Sequence, residues 1–101
     1  MKTLGEHNYY VYILTNKNKT VLYTGVTNNL NERLYFHQNP LPSSKAFTAK
    51  YKCFYLLYFE HYSKVETAIR REKQIKGYSR HKKENLINTT NPNWNFLNNE
   101  I

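Results

Sequence analysis

The most constraining feature of this sequence is a pair of short runs of aromatic and aliphatic residues, separated by one polar segment. The runs are residues 8–15 and 20–26, and the segment between them, Asn16-Lys17-Asn18-Lys19, has the composition of a hairpin turn. With the turn centred in that segment, Tyr12 is predicted to lie directly opposite Tyr23, with Cβ atoms roughly 4.5–5.5 Å apart. The first run is apolar on both faces, as expected for a strand covered on both sides.

A helix is predicted directly after the second run, over residues 29–38. Asn29 and Glu32 have the spacing of a capping box, which satisfies free backbone N–H groups at a helix start. Arg33 and His37 are four residues apart on this helix and therefore share a face.

Four side chains suited to phosphate chemistry are predicted to converge where the second run reaches Gly25. Two are the hairpin tyrosines, Tyr12 and Tyr23, and two are Arg33 and His37 of the helix. Arginine binds phosphate with a planar fork, and histidine transfers protons near neutral pH. The grouping is typical of an active site rather than of a core.

A loop is predicted over residues 39–50, which contain two prolines and two serines and show no helical or strand period. Long loops in compact domains are often functional. Lys45, Phe47, Thr48 and Lys50 are therefore candidates to become ordered around a ligand.

The second half of the chain predicts one strand and two helices. Residues 51–60 have the composition of a third strand, and residues 79–89 of a last helix that ends before a proline. Between them, Ser63-Lys64-Val65-Glu66 has capping-box spacing and Gly77 is a natural helix C-cap. The tail is predicted to dock onto the domain through its apolar residues, Trp94, Phe96 and Leu97.

These elements predict an α+β fold, a small three-stranded antiparallel sheet flanked by helices. With 101 residues the chain is large enough for one modest core and too small for two. We therefore expect a single domain over residues 1–101, with a core of about residues 8–90 and a C-terminal tail over 91–101.

Glu72 is the most informative acidic residue. It falls on a helix stripe that is otherwise apolar, and a buried carboxylate is costly unless it is paired or bound to a metal. Glu60, at a strand end, is its main rival as a metal ligand. The stripe consists of Val65, Ala68, Ile69, Glu72 and Ile75, and the alternative to metal binding is a salt bridge to Arg71, Lys73 or Lys76.

The composition favours a polyanionic partner, either nucleic acid or an anionic membrane surface. There are 15 Lys and Arg residues against 7 acids, a net charge of +8. No apolar run approaches the roughly 20 residues needed to span a bilayer, and residues 1–7 lack the apolar part of a signal peptide. The single cysteine, Cys53, forms neither an internal disulfide nor a cysteine-based zinc site. We therefore expect a cytoplasmic protein without a membrane partner.

Basic residues are concentrated between positions 64 and 83. A surface of this kind binds phosphate backbones without reading the base sequence. The candidates for nucleic-acid contacts, including the two lysines of the predicted loop, are Lys45, Lys50, Arg70, Lys73, Lys76, Lys82 and Lys83.

Four segments resemble the signatures of the GIY-YIG nuclease superfamily. They are Tyr10-Val11-Tyr12, Tyr23-Thr24-Gly25, the Asn-Leu-x-x-Arg-Leu-x-x-His helix from Asn29, and the segment Arg71 to Gly77. Each triplet keeps its tyrosine and departs from the eponymous triplet at one or two positions. The resemblance runs from about Tyr9 to Trp94 and is to the small single-domain branch, similar to the nuclease domain of the bacterial excision-repair endonuclease.

The resemblance implies a catalytic role for five residues. Glu72 would bind a divalent metal, and a single carboxylate with water and phosphate oxygens suits Mg²⁺ or Mn²⁺. Tyr12 would be the general base with Tyr23 assisting, Arg33 would clamp the phosphate, and His37 would donate to it or transfer protons. A tyrosine half-ionised at pH 7 needs its pKa lowered by roughly 3 units, about 4 kcal/mol.

The leading hypothesis is a metal-dependent endonuclease that hydrolyses DNA phosphodiester bonds, in DNA repair or recombination. An alternative is a nucleic-acid-binding module on the same fold with weak or no catalysis, and a third is a protein-interaction subunit that uses exposed aromatic residues. No small-molecule cofactor is expected. The residues do not distinguish DNA from RNA, and the family's late polar site residue has several candidates, Asn85, Asn88 and Asn91.

Overall fold

A computed structural model describes residues 8–39 and 46–101. It shows the predicted α+β fold, a three-stranded antiparallel sheet with strand order β2-β1-β3 and helices on both faces. In the described part of the chain, no helix is long and apolar enough to cross a membrane. The elements are β1 (Tyr9–Thr15), β2 (Leu22–Thr27), α1 (Leu30–Gln38), α2 (Phe47–Lys50), β3 (Tyr55–Tyr62), α3 (Val65–Lys76), α4 (Arg80–Thr90) and a 3₁₀ turn, Asn98–Glu100.

The central strand β1 separates two small cores. Val11 and Ile13 point to one face, where α3 and α4 cover them with Ala68, Ile75 and Ile87. Tyr12 and Leu14 point to the other face and pack against α1 and the C-terminal tail, and this second cluster consists of Tyr12, Leu14, Leu30, Leu34, Cys53 and Leu56. The strand is buried on both faces, as its sequence predicts.

The hairpin pairs differently from the sequence prediction. Tyr12 lies opposite Gly25, and Tyr23 lies opposite Leu14, so the predicted pairing of Tyr12 with Tyr23 is wrong by two residues. A shift of two leaves every side chain on its original face. Tyr12 and Tyr23 therefore remain diagonal neighbours, with ring centroids 6.4 Å apart.

The cause of the shift is a longer hairpin connection, over residues 16–21. The Asn16 side-chain oxygen accepts hydrogen bonds from the backbone N–H groups of Thr20 and Val21 at 2.8 and 3.1 Å. Lys19 adopts a left-handed conformation, with φ 60°. The sequence prediction assigned Thr20 and Val21 to the second strand. These local contacts keep both residues out of it, and β2 begins at Leu22.

Helix α1 begins as predicted, and the segment after it is only partly a loop. The Asn29 side chain caps the helix by accepting from the Glu32 backbone N–H at 3.0 Å. Phe47–Lys50 forms the short helix α2, so the prediction of loop is wrong there. Lys45 lies outside the described residues.

Helix α3 has the predicted end but a different start and a narrower buried face than the sequence predicts. Its N-cap is Lys64 without a side-chain hydrogen bond, so the capping box predicted from Ser63 does not form. Val65 and Ile69 are exposed, whereas Ala68 and Ile75 are fully buried. The helix ends at the predicted C-cap, Gly77, with φ −79°, in the right-handed region.

The tail docks as predicted. The Trp94 indole N–H donates to the Asn88 side-chain oxygen at 2.7 Å, and the Leu97 backbone N–H donates to the Leu56 carbonyl at 2.8 Å. The Phe96 ring stacks on Tyr55, with centroids 4.2 Å apart. The tail therefore extends the core past the end of α4.

Glu60 of β3 is committed to a structural network. Arg71 of α3 donates to both carboxylate oxygens, at 2.9 and 3.0 Å, and the hydroxyls of Tyr58 and Tyr62 donate to the same carboxylate. Burial would raise the pKa of Glu60, but the hydrogen bonds from Arg71 and the two tyrosines outweigh it and lower the net pKa. Glu60 has little capacity left for a metal, which removes the main rival of Glu72.

This network makes stability depend on pH. Because the folded-state pKa of Glu60 lies below its unfolded value of about 4.3, its contribution is present above that pH and is lost as pH falls through the folded-state pKa. We expect Glu60→Gln to lower the free energy of unfolding by about 2 kcal/mol at pH 7, because it leaves Arg71 without its ion pair. Urea unfolding at pH 7, and again at a pH well below the unfolded-state pKa of about 4.3, measures both effects.

The control is Glu66→Gln, which changes an exposed glutamate of α3. It should change stability by less than about 0.5 kcal/mol. An equal loss in both variants would show that the Glu60 network contributes nothing specific.

Candidate active site

The ring of Tyr12 lies directly over Gly25. A Cβ atom at position 25 would lie 2.5 Å from the Tyr12 hydroxyl oxygen and 2.6 Å from its Cζ. The side chain of Tyr12 is 1% exposed, so it has little room to move away. Gly25 is therefore required for close approach, and it directs the Tyr12 ring across β2, the edge strand next to β1.

A chain of hydrogen bonds starts at the Tyr12 hydroxyl. Its oxygen lies 3.2 Å from His37 Nε2, and His37 Nδ1 lies 3.0 Å from the Thr48 hydroxyl oxygen. Thr48 is buried on α2, so helices α1 and α2 fix the histidine ring from both sides. A neutral imidazole donates from one nitrogen and accepts at the other, as this chain requires.

The Tyr23 ring completes this cluster. It meets His37 edge-on, with centroids 5.9 Å apart, and stacks on Phe47 at the same distance. Phe47 in turn contacts Tyr51, with centroids 4.6 Å apart. The two tyrosines and the histidine that were predicted to converge beside Gly25 are thus brought together.

Arg33 is exposed on α1, four residues before His37, and its positive charge affects the ionisation of His37 and Tyr12. Burial, and next to it the Arg33 guanidinium, lowers the pKa of His37 to about 4. His37 is therefore neutral at pH 7, with one ring nitrogen free to accept a hydrogen bond, and its lowered pKa makes it a weaker base than an ordinary histidine.

Tyr12 is held as a phenol rather than a phenolate. Burial raises the pKa of Tyr12 above its usual range, and the neighbouring Tyr23 and Glu72 act in the same direction. The Arg33 guanidinium lowers the pKa of Tyr12, but its effect is smaller than that of burial. The protein residues alone do not supply the lowered tyrosine pKa that a free general base needs.

Glu72 lies on α3, which covers the sheet face opposite the one that carries the Tyr12 side chain. Its side chain is 14% exposed, and its Oε2 lies 3.3 Å from Lys76 Nζ. The salt bridge given as the alternative to metal binding thus forms, to Lys76, and the charge of Glu72 also raises the pKa of Tyr12. Lys76 is half exposed, and an exposed ion pair is broken at little cost.

The donor set around Glu72 fits some metals and not others. Among the described residues, no three His, Cys, Asp or Glu side chains group together as a metal site. A zinc site needs three or four such protein ligands. One carboxylate with water and phosphate oxygens suits Mg²⁺ or Mn²⁺, as the sequence suggests.

The predicted nucleic-acid contacts are spread over the molecule. Lys50 is exposed on α2, beside the aromatic cluster, and Lys73 is exposed on α3 next to Glu72. Arg70 is also exposed but lies about 200° around α3 from Glu72, on its far side. Lys82 and Lys83 lie on α4, over the sheet face opposite α1, where Lys82 Nζ sits 4.3 Å from the Tyr78 ring centroid.

Two of the basic residues between positions 64 and 83 have structural roles instead. Arg71 pairs with Glu60, and Arg80 donates to the carbonyl oxygens of Thr20 and Lys19 in the hairpin connection, at 2.7 and 3.2 Å. The surface available to phosphate is accordingly smaller than the sequence indicates.

The role of Thr48 as a partner of His37 is the main feature that sequence reasoning missed. The segment was singled out as a candidate ligand loop, and Thr48 within it, but nothing in the sequence links positions 37 and 48. The contact depends on α2 folding back against α1.

Comparison with known proteins identifies the family to which this chain belongs. A family model described as the GIY-YIG catalytic domain matches residues 8–85. The chain belongs to the GIY-YIG family. The match places this GIY-YIG domain in a superfamily of nucleases, which act on nucleic acids.

The relatives of this GIY-YIG domain are small UPF0213 proteins. One from Clostridium perfringens is 39% identical over 80 residues, 79% of this chain and 83% of that protein. One from Staphylococcus haemolyticus is 38% identical over 79 residues, 78% of this chain and 93% of that protein. The solution NMR structure of a UPF0213 protein from Bacillus halodurans is similar at a TM-score of 0.53, with 30% identity over 82% of this chain and 85% of that chain.

Replacing Gly25 tests the close approach of Tyr12. We expect Gly25→Ala to lower the free energy of unfolding by about 1–3 kcal/mol, because the new methyl group overlaps a ring that cannot retreat. The ring resonances of His37 should shift with it. Gly77→Ala is the matched control, since a Cβ there makes only ordinary contacts, the nearest at 3.5 Å. Equal stability of the two variants would contradict the position of Tyr12.

The ionisation of His37 is directly measurable by NMR. Following its ring protons with pH should give a pKa of about 4, and Arg33→Met should raise that value because a nearby positive charge is removed. Arg70→Met, which removes an exposed charge from the far side of α3, should leave it unchanged. A wild-type ring that titrates near its usual value of about 6.5 would show that His37 is not enclosed.

Proposed function

We propose that this GIY-YIG domain is a divalent-metal-dependent endonuclease that hydrolyses phosphodiester bonds in DNA. The observation that carries the proposal is the hydrogen bond between the Tyr12 hydroxyl and a neutral His37, beside the charges of Arg33 and Glu72. A role in DNA repair or recombination and a cytoplasmic location stay predictions.

The hydrogen-bond chain supports a proton relay. The attacking water gives a proton to the Tyr12 oxygen while Tyr12 passes its own proton to His37 Nε2. In the tautomer that the relay requires, His37 Nδ1–H donates to the Thr48 hydroxyl oxygen and Nε2 accepts from the Tyr12 hydroxyl. Tyr12 never has to exist as a free phenolate, so the raised pKa of its hydroxyl is compatible with catalysis.

The other residues act on the phosphate. The water oxygen bonds to phosphorus, the bond from phosphorus to the 3′ oxygen breaks, and that oxygen takes a proton from solvent. Arg33 is exposed next to the relay and offers the planar fork that phosphate oxygens accept. Glu72 would hold Mg²⁺ or Mn²⁺, which when bound supplies positive charge at the phosphate and at the leaving oxygen.

The second candidate function is a nucleic-acid-binding module with weak or no catalysis. The altered signature triplets and the lowered pKa of His37, which makes it a weak proton acceptor, favour it over full activity. The exposed rings of Phe47 and Tyr51, beside Lys50, suit contact with nucleic acid in either case.

Glu72→Gln separates the two functions. The substitution keeps the shape of the side chain and removes its charge, so we expect Mg²⁺- or Mn²⁺-dependent cleavage of labelled duplex and branched DNA to fall by about 100-fold or more. DNA binding should be retained, because Arg33 and the exposed lysines are unchanged.

Glu66→Gln is the control, because Glu66 is an exposed glutamate on the same helix and should cut at the wild-type rate. Equal cutting by wild type and Glu72→Gln would reject Glu72 as the metal ligand and point to a contaminating nuclease. No cutting by wild type, with tight and salt-sensitive DNA binding, would establish the binding module instead.

A further inference from the structure

A cavity of about 420 Å³ is lined by residues of the sheet, of the start of α1 and of the C-terminal tail, and the five proposed catalytic residues are not among its lining residues. We call it the α1 cavity. Its walls include Tyr10 and Phe59 of the sheet and Leu30 at the start of α1, with Asn8, Asn28 and Asn31 among its polar residues. Its volume is in the range of pockets that hold small molecules or parts of larger ligands.

The α1 cavity lies on the same sheet face as Tyr12. Tyr10 precedes Tyr12 by two residues on β1, which places their Cα atoms about 7 Å apart with side chains on one face. Leu30 packs against the cluster that contains Tyr12, and Arg33 is one helical turn further along α1. A nucleotide next to the scissile phosphate is therefore within reach of the cavity.

The walls present rings that are held in place. Tyr10 meets Phe59 edge-on, with centroids 6.3 Å apart, and His61 supports its other side at 5.2 Å. His61 Nε2 also lies 2.7 Å from the Asn8 side-chain oxygen, so the same histidine orients one of the polar residues of the cavity. Fixed aromatic rings of this kind suit a planar heteroaromatic ligand.

The charges of the described lining residues favour an uncharged base over a phosphate as the ligand of the cavity. Among the residues that the structure describes, no lysine or arginine lines the cavity, and the only charged side chain in its lining is that of Glu100. A phosphate would find no cation among these described lining residues. Asparagine amides carry both a donor and an acceptor, the combination that pairs with the edge of a nucleobase, and adenine in particular.

We propose that the α1 cavity binds one nucleobase of the strand that is cut, next to the scissile phosphate and out of the base stack. This inference rests on the proposed nuclease function and adds a recognition site to it. Taking a base out of a duplex costs a few kcal/mol, and least where the base is mispaired or unpaired. Substrates with such a base near the cut are therefore preferred.

The first test needs no catalysis. Deoxyadenosine 5′-monophosphate, titrated into ¹⁵N-labelled protein, should shift the resonances of Tyr10, Asn28 and Asn31, whereas 2-deoxyribose 5-phosphate, which lacks only the base, should not. Asn31→Trp fills the mouth of the cavity from an exposed position and should abolish the shifts. Asn18→Trp, at an exposed position in the hairpin connection, is the control, and Tyr10→Leu replaces Asn31→Trp if that variant does not fold.

The second test uses cleavage. A single abasic position is moved along the substrate strand, and the wild type should lose about tenfold or more of its rate at one fixed distance from the cut. Asn31→Trp should be insensitive to the abasic position. Shifts confined to Phe47 and Tyr51, or equal shifts with both small ligands, would overturn the base site. Absence of cleavage would reject the nuclease alone, since the titration decides the base site independently.

Discussion

The close approach of Tyr12 to Gly25 is the contact on which the site depends. Because β2 has no side chain at that position, the Tyr12 ring crosses it and its hydroxyl reaches His37. The central strand is buried on both faces, so this geometry is fixed by two cores at once. The site is therefore built into the sheet, and the helices add charged and polar groups to it.

The hairpin, the first helix and the position of the tyrosines were predictable because each rests on local chemistry. Alternation and turn composition located β1 and β2, and the Asn29 cap located α1. The predicted pairing of β1 with β2 was wrong by two residues because the Asn16 side chain accepts hydrogen bonds from the backbone of the connection. Composition alone does not indicate these hydrogen bonds. The error left the site intact, since a shift of two preserves the face.

The parts that could not be predicted depend on contacts distant in the sequence. Thr48 reaches His37 only because α2 folds against α1, and Glu60 is saturated only because Arg71 of another element lies beside it. The capping box after Ser63 failed although its spacing was correct, because spacing permits a cap without enforcing it. Glu72 was identified from its polarity on a predicted apolar stripe; the structure buries Ala68 and Ile75 of that stripe, exposes Val65 and Ile69, and leaves the Glu72 side chain 14% exposed.

Charge is divided between two neighbouring regions of one sheet face. Arg33 stands beside the tyrosine and histidine, where the proposed reaction places a phosphate, whereas the described lining of the α1 cavity consists of aromatic rings, asparagine amides, two aliphatic side chains and Glu100. A polyanion with aromatic bases satisfies both regions in one bound position, because its charged and uncharged parts alternate along the strand. Neither a membrane surface, which is anionic throughout, nor a free phosphate has that alternation. The arrangement of the site therefore favours a nucleic-acid strand more strongly than the net charge does.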